Sequence, residues 1–333
     1  MSEGILLVGG FGTRLRPLTN DLPKPMLPIA TLPVTEHQIA MAKRAGVTRL
    51  ILATSYLSEI FKPYFGDGAK WEIEIDYAVE NEPLGTGGAI RNAAELLNGD
   101  SEIVIFNGDV LSSHNLAKQI GWHKEKSASA TLHLTAVDDA RAYGSVPTDD
   151  QGRVTAFLEK MDQPPTNNIN AGCYVFAPKV IETIPRGKVV SVERETFPNL
   201  ISSGELVLGF IDQAYWLDIG TPAALMKGSI DLVKGYAATD ALDRYKFAHR
   251  DHEYVAAANA EVQGAVTGGS AIGANCKIAK GASVDASIIC DDVIIGAASV
   301  KNSFIAKGAK IDDGMELSGV YVAKSGEISA IFA

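Results

Sequence analysis

The sequence predicts an α/β chain in two parts: a mostly parallel sheet covered by helices, then a short left-handed parallel β-helix. Three observations carry that expectation. Up to about residue 236, short apolar runs alternate with amphipathic stretches, the pattern of a Rossmann-like sheet with its ligand at the carboxyl ends of the strands. The first of these runs, Ile5-Leu6-Leu7-Val8, leads directly into a glycine-rich loop. From about residue 266 the texture changes to one apolar residue in every six.

Taken in order, the apolar runs predict strands over 5–8, 49–54, 73–79, 102–106, 131–137, 154–158, 173–176 and 207–211. Helical patterns fall over 35–45, 87–97 and 116–126, and a last helix is expected over 222–235. The six-residue repeat runs through Val266, Ile272, Ile278 and Val284 and, after a break, resumes at Ile305, Ile311 and Leu317. Small residues such as Gly281-Ala282 and Gly308-Ala309 fill the gaps. A coil of three such repeats cannot bury its apolar edge alone, so stacked neighbours supply the core. Roughly three coils are expected, with an ordinary small antiparallel sheet as the alternative. The boundaries that follow are a first domain over 1–236, a connector over 237–257 and the β-helix over 258–333.

At 333 residues the chain is long enough for two domains and a large core. Its 40 acidic residues exceed its 30 basic ones, a net charge of −10 that argues against a nucleic acid or an anionic membrane as partner. Cys173, Cys276 and Cys290 sit at no metal-ligand spacing and suit a reducing compartment. There is no signal-peptide pattern at the start and no apolar run of membrane length, so a cytoplasmic protein with no membrane contact is expected.

The loop itself, Gly9-Gly10-Phe11-Gly12-Thr13-Arg14-Leu15-Arg16-Pro17-Leu18-Thr19, is followed by Pro23-Lys24-Pro25-Met26. Glycines let backbone N–H groups approach an anion, and Arg14, Arg16 and Lys24 concentrate positive charge on an otherwise acidic chain. That chemistry suits a nucleoside triphosphate. Neither a P-loop nor a dinucleotide fingerprint fits, since Leu15 stands where a third glycine would be. The run instead resembles, without a gap, the opening signature of the sugar-1-phosphate nucleotidyltransferases. Such enzymes join a nucleotide to a sugar phosphate by in-line displacement at the α-phosphorus, with pyrophosphate leaving. Both reactants are polyanions, so catalysis is mostly positioning and charge neutralisation.

The resemblance implies roles for particular residues. Asp109, in Asn107-Gly108-Asp109, and Asp218, in Trp216-Leu217-Asp218-Ile219-Gly220-Thr221-Pro222, match the family's magnesium-binding aspartates. Mg²⁺ prefers one or two carboxylates plus phosphate oxygens. Arg14 matches the arginine that stabilises the departing pyrophosphate, and Lys24 the lysine on the α-phosphate. Gly9, Gly10, Gly12, Thr13 and Gly108 fall in the nucleotide-binding loops. Glu159-Lys160, Asn170-Ala171-Gly172 and Tyr143-Gly144 match the sugar-phosphate pocket, with Lys160 on the phosphate and Glu159 on sugar hydroxyls.

Glu80-Asn81-Glu82-Pro83-Leu84-Gly85-Thr86-Gly87-Gly88 matches the base-binding segment. Thymidylyltransferases carry glutamine where Glu80 falls. A carboxylate only accepts, which suits the two adjacent donors of guanine and opposes the imide edge of uracil or thymine. The alignment can also slip to Glu82, and backbone groups can read the base instead. Several stretches, including 169–176, 190–198 and 216–220, look most like mannose-1-phosphate guanylyltransferases. That resemblance implies GTP and mannose 1-phosphate as substrates, and GDP-mannose and pyrophosphate as products. With no histidine in its coils, the β-helix is expected to be structural, the subunit contact of a homo-oligomer. Thr31-Leu32-Pro33-Val34 departs from the family's usual Asn-Lys-Pro. Alternatives are a glucose-1-phosphate thymidylyl- or uridylyltransferase and a non-catalytic nucleotide-sugar sensor. An acyltransferase run by the β-helix is the weakest reading, because the last histidine, His252, precedes the repeats.

Overall fold

The eight expected apolar runs fall in one nine-stranded sheet, whose remaining strand, Gly144–Ser145, was not expected. Its strands are β1 (Ser2–Leu7), β2 (Val47–Thr54), β3 (Glu74–Val79), β4 (Ile103–Asn107), β5 (Ala130–Ala136), β6 (Gly144–Ser145), β7 (Leu158–Glu159), β8 (Asn168–Phe176) and β9 (Val207–Ile211). They lie in the order β7-β6-β8-β4-β1-β2-β3, with β5 beside β8 and β9 beside β5. The centre is parallel: β1 pairs with β2 and β4, and β2 with β3. β8 runs antiparallel to both β4 and β5. Central strands are buried on both faces and therefore read as unbroken apolar runs, as at Ile5-Leu6 and Leu50-Ile51-Leu52, all fully buried.

The computed structural model describes residues 2–10, 12–20, 22–54, 58–99 and 101–332; Phe11 of the glycine-rich loop lies outside them. By backbone contacts the chain groups into two units that do not follow its linear order. One holds Met1–Gly9, Gln38–Val110 and His114–Trp216, which includes the whole sheet. The other holds Gly10–His37, Leu111–Ser113 and Leu217–Ala333.

Differences from the expected elements have local causes. The stretch expected as a strand over 154–158 pairs regularly only at Leu158–Glu159; upstream, Val154 makes an isolated bridge to Thr148, and Thr155 N–H donates to the Pro147 carbonyl at 3.0 Å. β8 is longer than its apolar core, since a bulge between Asn170 and Tyr174 lets pairing with β5 continue to Asn168. The helix Leu116–Lys126 has the expected bounds: the Asn115 side chain accepts the Lys118 N–H at 3.1 Å, and Ser127 closes the last turn in a left-handed conformation. The helix expected over 87–97 is Gly85–Ala93 followed by a tighter turn. No expectation covered the helix Ser58–Phe65, which contains Pro63.

The C-terminal repeats form a parallel β-helix of three ladders. Its stacking begins at Tyr254, where Tyr254–Ala257 pairs in parallel with Ser270–Ile272. Ile272, Ile289, Ile305 and Val322 stack in one inward column, Ile278, Ile295 and Ile311 in a second, and Val266, Val284, Val300 and Leu317 in the third. The repeat is therefore continuous through the apparent break after Val284, and the coils that follow Val284 fall short of three full hexapeptides. At one corner the first coil uses Gly268-Gly269, whereas the later coils use a single residue at positive φ: Ala286, Asn302 and Gly319. Buried serines stabilise that tighter corner. Ser287 N–H donates to the Ser270 hydroxyl, Ser303 N–H to Ser287 and Val320 N–H to Ser303, at 3.1, 3.1 and 3.2 Å.

Candidate functional site

From Gly10 onward the nucleotide signature belongs to the second unit. Gly10 and Gly12 adopt positive φ of 122° and 56°, conformations open to glycine. A tight turn, Thr13–Leu15, buries Leu15 and leaves Arg14 exposed, while the Thr19 hydroxyl donates to the Gly12 carbonyl at 2.9 Å. A Cβ on Gly12 would lie 3.3 Å from the Lys24 Cβ, so the loop and the Lys24–Met26 turn are in close contact. Lys24 Nζ stands 3.9 Å from the Asp218 carboxylate, their side chains 12% and 29% exposed. Gly220 sits beside both Asp218 and Arg14: a Cβ there would meet the carboxylate at 3.1 Å and the Arg14 guanidinium at 3.3 Å. Three of the sequence-predicted residues, Arg14, Lys24 and Asp218, are thus brought together around Gly220. The helix Pro222–Val233 begins just beyond them, with the Thr221 hydroxyl accepting the Ala224 N–H at 3.2 Å.

Asp109 belongs to the first unit, half-buried just past the end of β4. Gly108 donates its N–H to the Leu7 carbonyl at 2.9 Å, and a Cβ there would come within 2.2 Å of that oxygen. Only glycine fits so close an approach of two strand ends. The buried Gln38 amide brackets the same turn, donating to the carbonyls of Asn107 at 2.7 Å and Val110 at 3.0 Å.

The expected sugar-pocket residues assemble in the same unit. Glu159 pairs with Gly144 across β7 and β6, and a Cβ on Gly144 would touch Phe157 at 2.9 Å and Glu159 at 3.1 Å. Lys160, exposed and at positive φ, is tied by its N–H to the Tyr143 carbonyl at 3.2 Å. Gly172, at φ 75°, forms the β8 bulge and packs on Asn107; its N–H donates to the Asn170 side chain at 3.1 Å. The Trp216 indole donates to the Ala171 carbonyl at 2.9 Å and meets the Tyr143 ring edge-on.

In the base-binding segment, Glu80 is half-buried and Glu82 exposed. One Glu80 oxygen accepts the Leu84 N–H at 3.3 Å; the other is buried without a hydrogen-bond partner. Burial pushes the Glu80 carboxyl pKa up, opposed by that Leu84 bond. Pro83 and Gly85 are exposed. The glycines that follow admit another chain segment: Gly87 N–H donates to the Val190 carbonyl at 2.8 Å, and a Cβ on Gly85 would lie 2.7 Å from that oxygen. Thr86 turns inward, its hydroxyl donating to Glu193 at 2.8 Å and accepting the Val192 N–H at 2.9 Å. Sequence reasoning missed the Thr86–Glu193 pair and the Gln38 bracket. Gln38 ends the stretch Thr35-Glu36-His37-Gln38, four consecutive polar residues that are all buried, and nothing local in the sequence marks it.

Both candidate metal ligands are carboxylates, the hard oxygen donors Mg²⁺ takes. Among the described residues no group of three or more His, Cys, Asp or Glu could hold a metal. The three cysteines are free and buried. No helix among the described residues is long and apolar enough to cross a membrane.

A family model described as nucleotidyl transferase matches residues 3–235, and a GlmU-like C-terminal hexapeptide model matches residues 245–323. A mannose-1-phosphate guanylyltransferase of Mycobacterium tuberculosis is 46% identical over 300 residues, covering 90% of this chain and 82% of that one. Mannose-1-phosphate guanylyltransferase 1 of Arabidopsis thaliana is 38% identical, covering 68% of this chain and 63% of its own length. Among solved structures, HddC from Yersinia pseudotuberculosis has a TM-score of 0.61 at 31% identity, covering 70% of this chain and all of that one. The same protein has also been solved complexed with GMP-PN, with a TM-score of 0.60 and the same coverage.

Proposed function

The chain belongs to the nucleotidyl transferase family, and from that premise we propose that it transfers GMP from GTP to mannose 1-phosphate, releasing pyrophosphate and GDP-mannose. The observation that carries this substrate pair is the 46% identity, over nine-tenths of the chain, with the mycobacterial mannose-1-phosphate guanylyltransferase. The buried, unpartnered oxygen of Glu80 supports the choice of base, because guanine's N1–H and exocyclic amine offer it a donor pair.

In this reading the glycine-rich loop of Gly9, Gly10, Gly12 and Thr13 cradles the triphosphate with its N–H groups, and Pro83, Gly85, Thr86 and Gly108 border the nucleotide. With its hydroxyl engaged by Glu193, Thr86 contributes through its backbone. Arg14 neutralises the departing pyrophosphate and Lys24 the α-phosphate. Lys160 holds the sugar phosphate, Glu159 and Asn170 orient the sugar hydroxyls, and Gly144 and Gly172 leave room for the ring. Asp109 and Asp218 would hold Mg²⁺, which supplies charge neutralisation at the phosphates. No protein nucleophile is required, because displacement at phosphorus is governed by positioning and electrostatics. The β-helix is the surface through which copies of the chain associate, in a cytoplasmic enzyme.

Chromatographic identification of GDP-mannose after incubating the purified chain with GTP, mannose 1-phosphate and Mg²⁺ tests the reading. Product that requires all three supports it. A folded chain that binds GDP-mannose yet makes none contradicts it in favour of a sensor.

A further inference from the structure

We propose that Thr239 and Tyr245, in the segment between the last helix and the β-helix coils, are positioning residues for Lys24. The inference rests on the reading of Lys24 given above. Every contact it uses lies within the second unit.

Lys24 sits in a one-turn segment whose back is fixed by the residues that follow it. The buried Thr35 hydroxyl donates to the Pro25 carbonyl at 3.0 Å, and Val34 N–H donates to the Leu27 carbonyl at 3.2 Å. Between them, Pro28–Ile29 and Leu32–Pro33 form a tight hairpin through Ala30 and Thr31, both at positive φ. The Ser229 hydroxyl accepts the Ala30 N–H at 3.0 Å.

The next two residues, Glu36 and His37, are 0% and 5% exposed and face the C-terminal segment. The Tyr245 hydroxyl donates to the Glu36 carboxylate. A carboxylate held in the interior needs such donors, and an unmatched one is costly. The His37 ring bridges two segments, Nε2 to the Ile29 carbonyl at 3.1 Å and Nδ1 to the Thr239 hydroxyl at 3.0 Å. Burial lowers the His37 pKa and keeps the ring neutral. A carbonyl only accepts, so Nε2 carries the proton and Nδ1 accepts from Thr239. Thr239 in turn accepts the Ala241 N–H at 3.2 Å.

The Lys24 turn is therefore clamped from behind by residues more than 200 positions later in the sequence. Neither Thr239 nor Tyr245 touches substrate in this account; each acts through the Glu36-His37 backbone and Thr35 on the carbonyl beside Lys24. A shift of the turn moves the Lys24 ammonium off the α-phosphate, a loss felt in the transition state more than in sugar binding.

The experiment compares full-length Thr239→Val, Thr239→Ser and Tyr245→Phe with wild type, each verified as folded by circular dichroism. Thr239→Val and Tyr245→Phe are expected to lower kcat about tenfold, with KM for mannose 1-phosphate unchanged. Thr239→Ser, which keeps the hydroxyl, is expected to retain wild-type kcat. In a Lys24→Arg background, Tyr245→Phe is expected to cause no further loss. Wild-type kcat in a folded Tyr245→Phe, or losses that multiply in the Lys24→Arg background, overturns the proposal while Lys24 keeps its role. Full turnover by Lys24→Ala overturns the reading of Lys24 and this inference with it.

Discussion

The sheet unit and the β-helix solve the same packing problem in opposite ways. In the β-helix each position recurs, so Ser270, Ser287 and Ser303 do one job in three coils and Ile272, Ile289 and Ile305 another. In the sheet unit each special residue occurs once: Gly108 meets Leu7, Gly172 meets Asn107 and Gly144 meets Phe157. Repetition makes architecture visible in a single sequence and spreads stability over many equivalent contacts. Singular residues carry chemistry, and a change at one of them has no duplicate to fall back on.

The largest expected effect is at a singular site. Asp109→Asn should lower turnover by at least about 10³-fold while leaving the melting temperature unchanged, because it alters charge and not shape. Activity assays beside thermal denaturation check it. Glu80→Gln should reduce the preference for GTP over dTTP by about ten- to a hundredfold, since the amide turns a donor toward guanine's donors. Competition between the two triphosphates reads that ratio, and an unchanged one removes Glu80 from base selection.

The β-helix should respond in stability alone. Ser287→Ala leaves the buried Ser303 N–H without its acceptor and should cost about 1–3 kcal/mol in denaturant unfolding, with kcat unchanged. A smaller effect at neutral pH comes from buried histidines of the sheet unit. Burial lowers the pKa of His114 and of His123 from 6.5 to about 4, and the His114 ring stacks on the equally buried His133. The unfolded chain takes up protons at these rings below pH 6.5 and the folded chain does not, so stability present above pH 6.5 is lost progressively down to about pH 4. Melting temperatures across that range test the sign.

The contrast also explains what was legible in the sequence. Most of the central strands and the helix 116–126 follow from apolar patterning, because burial on both faces writes itself as a continuous run. The hexapeptide period exposed the β-helix, but the tightening at the serine corner hid the middle coil, since one residue fewer per turn moves Ile289 out of phase. The start at Tyr254 was hidden too, because the first coil carries few large apolar residues. At the candidate site, motif spacing named Arg14, Lys24 and Asp218, which the fold gathers around Gly220. Thr35-Glu36-His37-Gln38 looks like a solvated first helical turn and is instead fully buried by partners distant in sequence. No local pattern carries that information.

On the proposed function the chain is selective for guanine and for mannose 1-phosphate. The most direct test is pyrophosphate release with Mg²⁺, measured for GTP, dTTP, UTP and ATP against mannose 1-phosphate and glucose 1-phosphate. The highest kcat/KM is expected for GTP with mannose 1-phosphate. A higher value for dTTP or UTP with glucose 1-phosphate would contradict that selectivity.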